Sequence, residues 1–96
     1  MSDKIKSDAV FGLARHFRLQ WEDAQQNYVL LFPEGMVKLN GGAGEVIKRL
    51  DGKKTVADVV AELQAAFPGV PELEADVLSM LDLALGKDWI EQKNSL

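Results

Sequence analysis

The sequence predicts an α+β fold: an N-terminal three-stranded antiparallel meander, then three helices and a short C-terminal extended segment. Two observations carry this prediction. Apolar residues recur at every second position in the stretch before residue 40 and at helical spacing after it. The punctuation agrees, because Pro33-Glu34-Gly35 separates two strand-like runs, while Asn40 and Thr55 stand where helices begin.

Residues 1–13 are expected as a flexible arm, since "MSDKIKSDAV" mixes charges and small residues with neither periodicity. A single domain is expected over residues 14–91, with residues 92–96 as a flexible tail. Its first strand alternates Phe17, Leu19 and Trp21 with Arg18 and Gln20, and "EDAQQN" is the polar turn that follows. "YVLLF" is apolar throughout, as suits a middle strand covered on both faces. Pro33 and Gly35 turn the chain into "MVKLN", a third strand at the edge of the meander.

Asn40 caps a first helix along "GGAGEVIKRLD", with Val46, Ile47 and Leu50 on one face and Gly52 as its stop. Gly41, Gly42 and Gly44 weaken it, by about 1 kcal/mol each where a site is truly interior. Thr55 and Asp58 form a capping-box start for "VADVVAELQAAF", which ends at Pro68-Gly69. Pro71 opens a third helix, "ELEADVLSMLDLAL", whose apolar sector is wide enough to serve both a core and a groove. "KDWIE" returns as an extended piece, with Trp89 and Ile90 folding back on the core.

This order of elements is winged helix-turn-helix-like, which raises DNA binding. The third helix argues against it, carrying Glu72, Glu74, Asp76 and Asp82 and no lysine or arginine from Pro71 to Leu85. The chain's net charge of -4 points the same way, and Lys48, Arg49, Lys53 and Lys54 form only a weak basic patch. No nucleic-acid partner is expected, although a DNA-binding regulator remains the alternative from another class. A third reading is a structural dimerisation module built on the exposed strand edge.

Chemistry is not advertised. There is no cysteine, so thiolate catalysis, disulfides and cysteine metal sites are excluded. His16 lacks a second imidazole and a paired carboxylate, and "NGGAGE" lacks the lysine and hydroxyl of a P-loop. No catalytic residue, metal site or cofactor is therefore expected. Nothing in the sequence resembles a signal peptide or the roughly 20 apolar residues of a membrane span, so the expected location is cytoplasmic.

Several strings, taken together, resemble the PqqD family: "ARHFRLQWEDAQQNYVLLFPEGMVKLN", "GEVIKRLDGKKTVADVVAEL" and "VLSMLDLALGKDWIE", spanning Ala14 to Glu91. The three early glycines depart from the better helix formers such proteins often carry there. The resemblance implies a non-enzymatic peptide chaperone of pyrroloquinoline quinone (PQQ) biosynthesis, a RiPP recognition element. It implies that the chain binds the precursor peptide PqqA and presents it to the radical S-adenosylmethionine enzyme PqqE, which cross-links a glutamate and a tyrosine. It also implies that the peptide lies as an added strand beside Met36, Val37, Lys38, Leu39 and Asn40 and against the third helix.

An edge strand of this kind supplies sequence-tolerant backbone bonds, while adjacent side chains select the guest. Register puts Val37 and Leu39 toward the core, with Met36 and Lys38 on the other face. Helical angle makes Val77, Leu78 and Leu81 the expected groove wall and Glu74 a rim acid for a basic peptide side chain. The expected oligomeric state is a monomer or a weak dimer through the strand edge.

Overall fold

The computed structural model describes residues 5–94. Its described elements are β1 (Val10–Leu13), β2 (Arg18–Glu22), β3 (Asn27–Phe32), β4 (Gly35–Lys38), α1 (Gly41–Ile47), β5 (Asp51–Thr55), α2 (Val56–Ala66), α3 (Leu73–Gly86) and β6 (Ile90–Gln92). They make three helices and two antiparallel three-stranded sheets, in the orders β2-β3-β4 and β5-β1-β6.

The meander matches the reading from sequence. Leu30 pairs with Leu19 on one side and Val37 on the other, while Leu31 lies between Arg18 and Met36. Directly opposed residues share a face. Leu19, Leu30 and Val37 therefore lie on one side of the sheet, and Arg18, Leu31 and Met36 on the other. The first side meets the helices: Leu19, Tyr28, Val37 and Leu39 all pack against the main core.

The second sheet was not expected, and it corrects the reading of the first residues as an arm over the part that is described, residues 5–13. Val10–Leu13 is its central strand, Phe11 is 1 % exposed, and Ile5 and Ala9 are also buried. The first strand's partners are distant in sequence, which is why local pattern did not show it: Val10 faces Thr55, and Leu13 faces Ile90. The expected tail is likewise engaged. Gln92 pairs with Phe11, the Lys93 N–H donates to the Val10 carbonyl, and Asn94 accepts the Val10 N–H through Oδ1 at 2.9 Å. Residues 1–4 and 95–96 lie outside the described residues.

α1 and α2 start where their capping residues place them. Asn40 Oδ1 accepts the Ala43 N–H at 2.7 Å, and Thr55 and Asp58 exchange side-chain and backbone bonds in a full capping box. α1 is shorter than "GGAGEVIKRLD" suggested, because Asp51 onward is drawn into β5. α3 begins without a side-chain cap, after Glu72 in the left-handed region at φ 56°. Val59, Leu63, Val77, Leu81 and Ala84 interlock beneath Phe11 and Ile90 in one apolar core. None of the described buried residues is polar or charged.

Candidate functional site

The geometry of β4 follows from one hydrogen bond and the antiparallel rule. The Leu39 N–H donates to the Tyr28 carbonyl at 3.0 Å. Bonded and non-bonded pairs alternate along such a ladder, so Val37, opposite Leu30, also bonds inward to β3. Met36 and Lys38 therefore direct their N–H and C=O groups away from β3, along an edge that no described strand covers. Their side chains stand on the outer face, with Met36 55 % exposed. Val37 is half-buried and Leu39 is buried. Asn40 has a different task, since its side chain is committed to capping α1.

Immediately after β4 the chain enters the wall of an apolar cavity of about 390 Å³. Gly41, Gly42 and Val46 of α1 line one side, Leu63 of α2 and Phe67 just after it another, and Leu73, Val77 and Met80 of α3 the third. Phe67 and Val70, in the connection between α2 and α3, leave 40 % and 45 % of their surface in water. Two large exposed apolar side chains at one opening form a lining that a folded core does not require.

Glycine has two separate meanings in α1. A Cβ on Gly44 would lie 2.9 Å from Tyr28 Cδ2, so this glycine lets α1 seat against β3. A Cβ on Gly41 would meet nothing within 4 Å. The packing of the described chain does not demand it.

The acids at the cavity differ in their pairing. Glu45 lies 2.7 Å from the Arg49 guanidinium and 3.6 Å from Lys48. The hydrogen bond from Arg49, aided by Lys48 and opposed by partial burial, holds its carboxyl below the usual glutamate value. Asp76 also lines the cavity and enters no ion pair among the described residues.

The residues expected on α3 separate into two groups. Val77 and Leu81 are 1 % and 0 % exposed. Val77 reaches the cavity wall from within the core, whereas Leu81 is core and presents no surface to a guest. Glu74 and Leu78 face another hollow, bordered by Val60, Gln64 and the segment around Ile5. Helical projection identified an apolar stripe without showing which part of it the neighbouring elements would cover. Leu73, Asp76 and Met80 are the α3 residues that accompany Val77 at the cavity; Phe67 and Val70 beside Pro68-Gly69 were its missed sequence signal.

No group of acids and histidine suited to a metal ion occurs among the described residues. No helix among them is long and apolar enough to cross a membrane. The arrangement offers an unpaired backbone edge, an apolar recess and an acidic rim, which together suit an extended peptide.

Comparison with known proteins agrees in kind. Residues 27–90 match the family model described as coenzyme PQQ synthesis protein D (PqqD). A PqqA binding protein of Pseudomonas paraeruginosa is 51% identical over 84 residues, covering 88% of this chain and 91% of the relative. That of Acinetobacter baylyi is 44% identical over 90 residues, covering 94% and 89%. The solution NMR structure of the PqqD truncation of Methylobacterium extorquens PqqCD, a functional and stand-alone RiPP recognition element, superposes with a TM-score of 0.75 at 32% identity. The match covers 91% of this chain and 94% of that one.

Proposed function

The chain belongs to the PqqD family, and from that premise we propose that it is the peptide chaperone of PQQ biosynthesis, binding PqqA and presenting it to PqqE. Its task is recognition, with the bond-forming chemistry left to the enzyme. The observation that carries this reading is the uncovered edge of β4 leading into the apolar cavity beside α1 and α3. Met36 and Lys38 would exchange backbone hydrogen bonds with the guest strand, and Val77, Met80 and Phe67 would receive its apolar side chains. Asp76, facing this cavity, takes the rim role first assigned to Glu74. The helices and meander are read as winged-helix-like, used here for a peptide, and the chaperone is assigned to the cytoplasm.

Lys38→Pro tests the strand geometry, because it removes an outward N–H while leaving the inward bonds of Val37 and Leu39 in place. The expected outcome in isothermal titration with PqqA is at least a tenfold loss of affinity, about 1.4 kcal/mol, with the circular dichroism spectrum retained. Unchanged affinity, or amide shift changes confined to β5 and β6, would exclude strand addition at β4. The same edge could pair with its own copy, so light scattering over a concentration series separates a persistent dimer from a peptide-binding monomer.

A further inference from the structure

The meander has a second edge, β2, and no described strand covers it. The Tyr28 carbonyl is taken by the Leu39 N–H, so Tyr28 and Leu30 bond toward β4, and Val29 and Leu31 bond toward Gln20 and Arg18 of β2. Leu19 and Trp21 therefore direct their N–H and C=O groups outward. Trp21 stacks on Tyr28 at 4.9 Å and still leaves 46 % of its surface in water. On the opposite face Gln20 Nε2 donates to Glu22 Oε2 at 3.0 Å, which holds that carboxylate alongside the strand. The charges on this edge have an order: Arg18 opens the strand, Glu22 ends it, and Gln20 stands midway. Charge on an edge strand ordinarily deters pairing. Here opposite signs at opposite ends make the strand complementary to an antiparallel copy of itself. β4 lacks this property, since it has no acid to set against its own Lys38.

We propose that β2 is a self-association edge, at which two copies of this chain join their meanders antiparallel about a two-fold axis at Gln20. Leu19 of each copy then faces Trp21 of the other, Arg18 faces Glu22, and Gln20 faces its own equivalent. Both members of each Leu19–Trp21 pair carry outward backbone groups, so each pair exchanges two hydrogen bonds. The exposed indole gains an apolar neighbour across the seam, and Arg18 meets Glu22 with Cβ atoms about 5 Å apart. Other registers lose these contacts. A slip by one residue sets outward groups against inward ones and forms no ladder. A slip by two sets Gln20 against Arg18 or against Glu22 and separates the opposite charges. The two edges of the meander thus take different occupants, a second copy at β2 and a guest strand at β4. Because they lie on opposite sides of β3, the inference does not depend on the peptide reading.

The seam is small, so the dimer is weak, and sedimentation equilibrium of the full chain from about 10 μM to about 1 mM is expected to show a reversible monomer–dimer equilibrium. Arg18→Glu and Glu22→Arg each set like charges across the seam twice, and each is expected to weaken the dimer at least about tenfold with the circular dichroism spectrum retained. Combining Arg18→Glu with Glu22→Arg restores opposite charges in reverse order and is expected to return association to within about threefold of the unaltered chain. PqqA is expected to leave the dimer intact. A chain monomeric across the whole range, a dimer indifferent to the single substitutions, or one that the double substitution does not restore would overturn the proposal. A dimer that PqqA dissociates would overturn it too, by moving self-pairing to β4. Loss of PqqA binding alone, with the charge-swap rescue intact, would overturn the peptide reading and uphold this one.

Discussion

In the sheet β5-β1-β6 the outer strands each carry an acid, Asp51 and Glu91, whereas β4, at the edge of the meander, presents Met36 and Val37 and no acid. The Asp51 carboxylate accepts the N–H groups of Lys53 and Lys54, both at 2.9 Å, so backbone donors on β5 are satisfied locally. β6 is three residues long, and its Glu91 is ion-paired with Lys93 just beyond it. Such devices keep an edge from recruiting another strand. β4 carries a single charge, Lys38, with no acid and no local acceptor for its outward N–H groups among the described residues, and it runs into a cavity. One sheet is finished by its own side chains and serves the fold; the other is left open on the side where recognition is proposed.

That contrast breaks most visibly at the centre of the finished sheet. Phe11 is 1 % exposed, and Phe11→Ala is expected to cost about 3–5 kcal/mol, lowering Tm by at least about 12 °C. Peptide binding would then fall only as the folded fraction falls, which thermal melts and titrations at several temperatures would separate.

The next effect lies where the open sheet meets the helices. Gly44→Ala drives a Cβ to 2.9 Å from the Tyr28 ring, and overpacking of about 1–3 kcal/mol exceeds the roughly 1 kcal/mol gained in helix propensity. Tyr28 stacks edge-on to Trp21 at 4.9 Å, so the same variant should change tryptophan fluorescence. Gly41→Ala, with open space around its Cβ, is expected to leave stability level or raise it by up to about 1 kcal/mol in a denaturant titration.

The smallest effect is that of acid. Backbone N–H groups of Lys54 and Lys53 hold Asp51 below its usual pKa of 3.8, and a hydrogen bond from Lys93 holds Glu91 below 4.5. Because these values are depressed in the folded chain, their stabilisation is complete above the ordinary carboxylate range and is lost as pH falls through the folded values. Glu45, lowered chiefly by Arg49, acts in the same direction. A series of melts from pH 6 downward is expected to show a level Tm that declines modestly below about pH 4.5.

How much of this was legible follows from sequence distance. The meander could be read because its strands are joined by short turns, and α2 because Thr55 and Asp58 mark its start unambiguously. β1 could not, since four residues containing Gly12 become a strand only through partners near residues 51–55 and 90–92. At the candidate site, alternation assigned the faces of Val37 and Met36, whose burial agrees. It could not assign Glu74 or Leu81, because the angle of a side chain around α3 is local while the element covering it is not.

The pairing of β1 with β6 also orders events during synthesis. Residues 18–38 contain all three strands of the meander, which can close soon after they leave the ribosome. Phe11 pairs with Gln92 and can gain that neighbour only some eighty residues later. The nascent chain therefore carries the β6 side of β1 unpaired through most of its translation, while the edge strand β4 of the other sheet is already available.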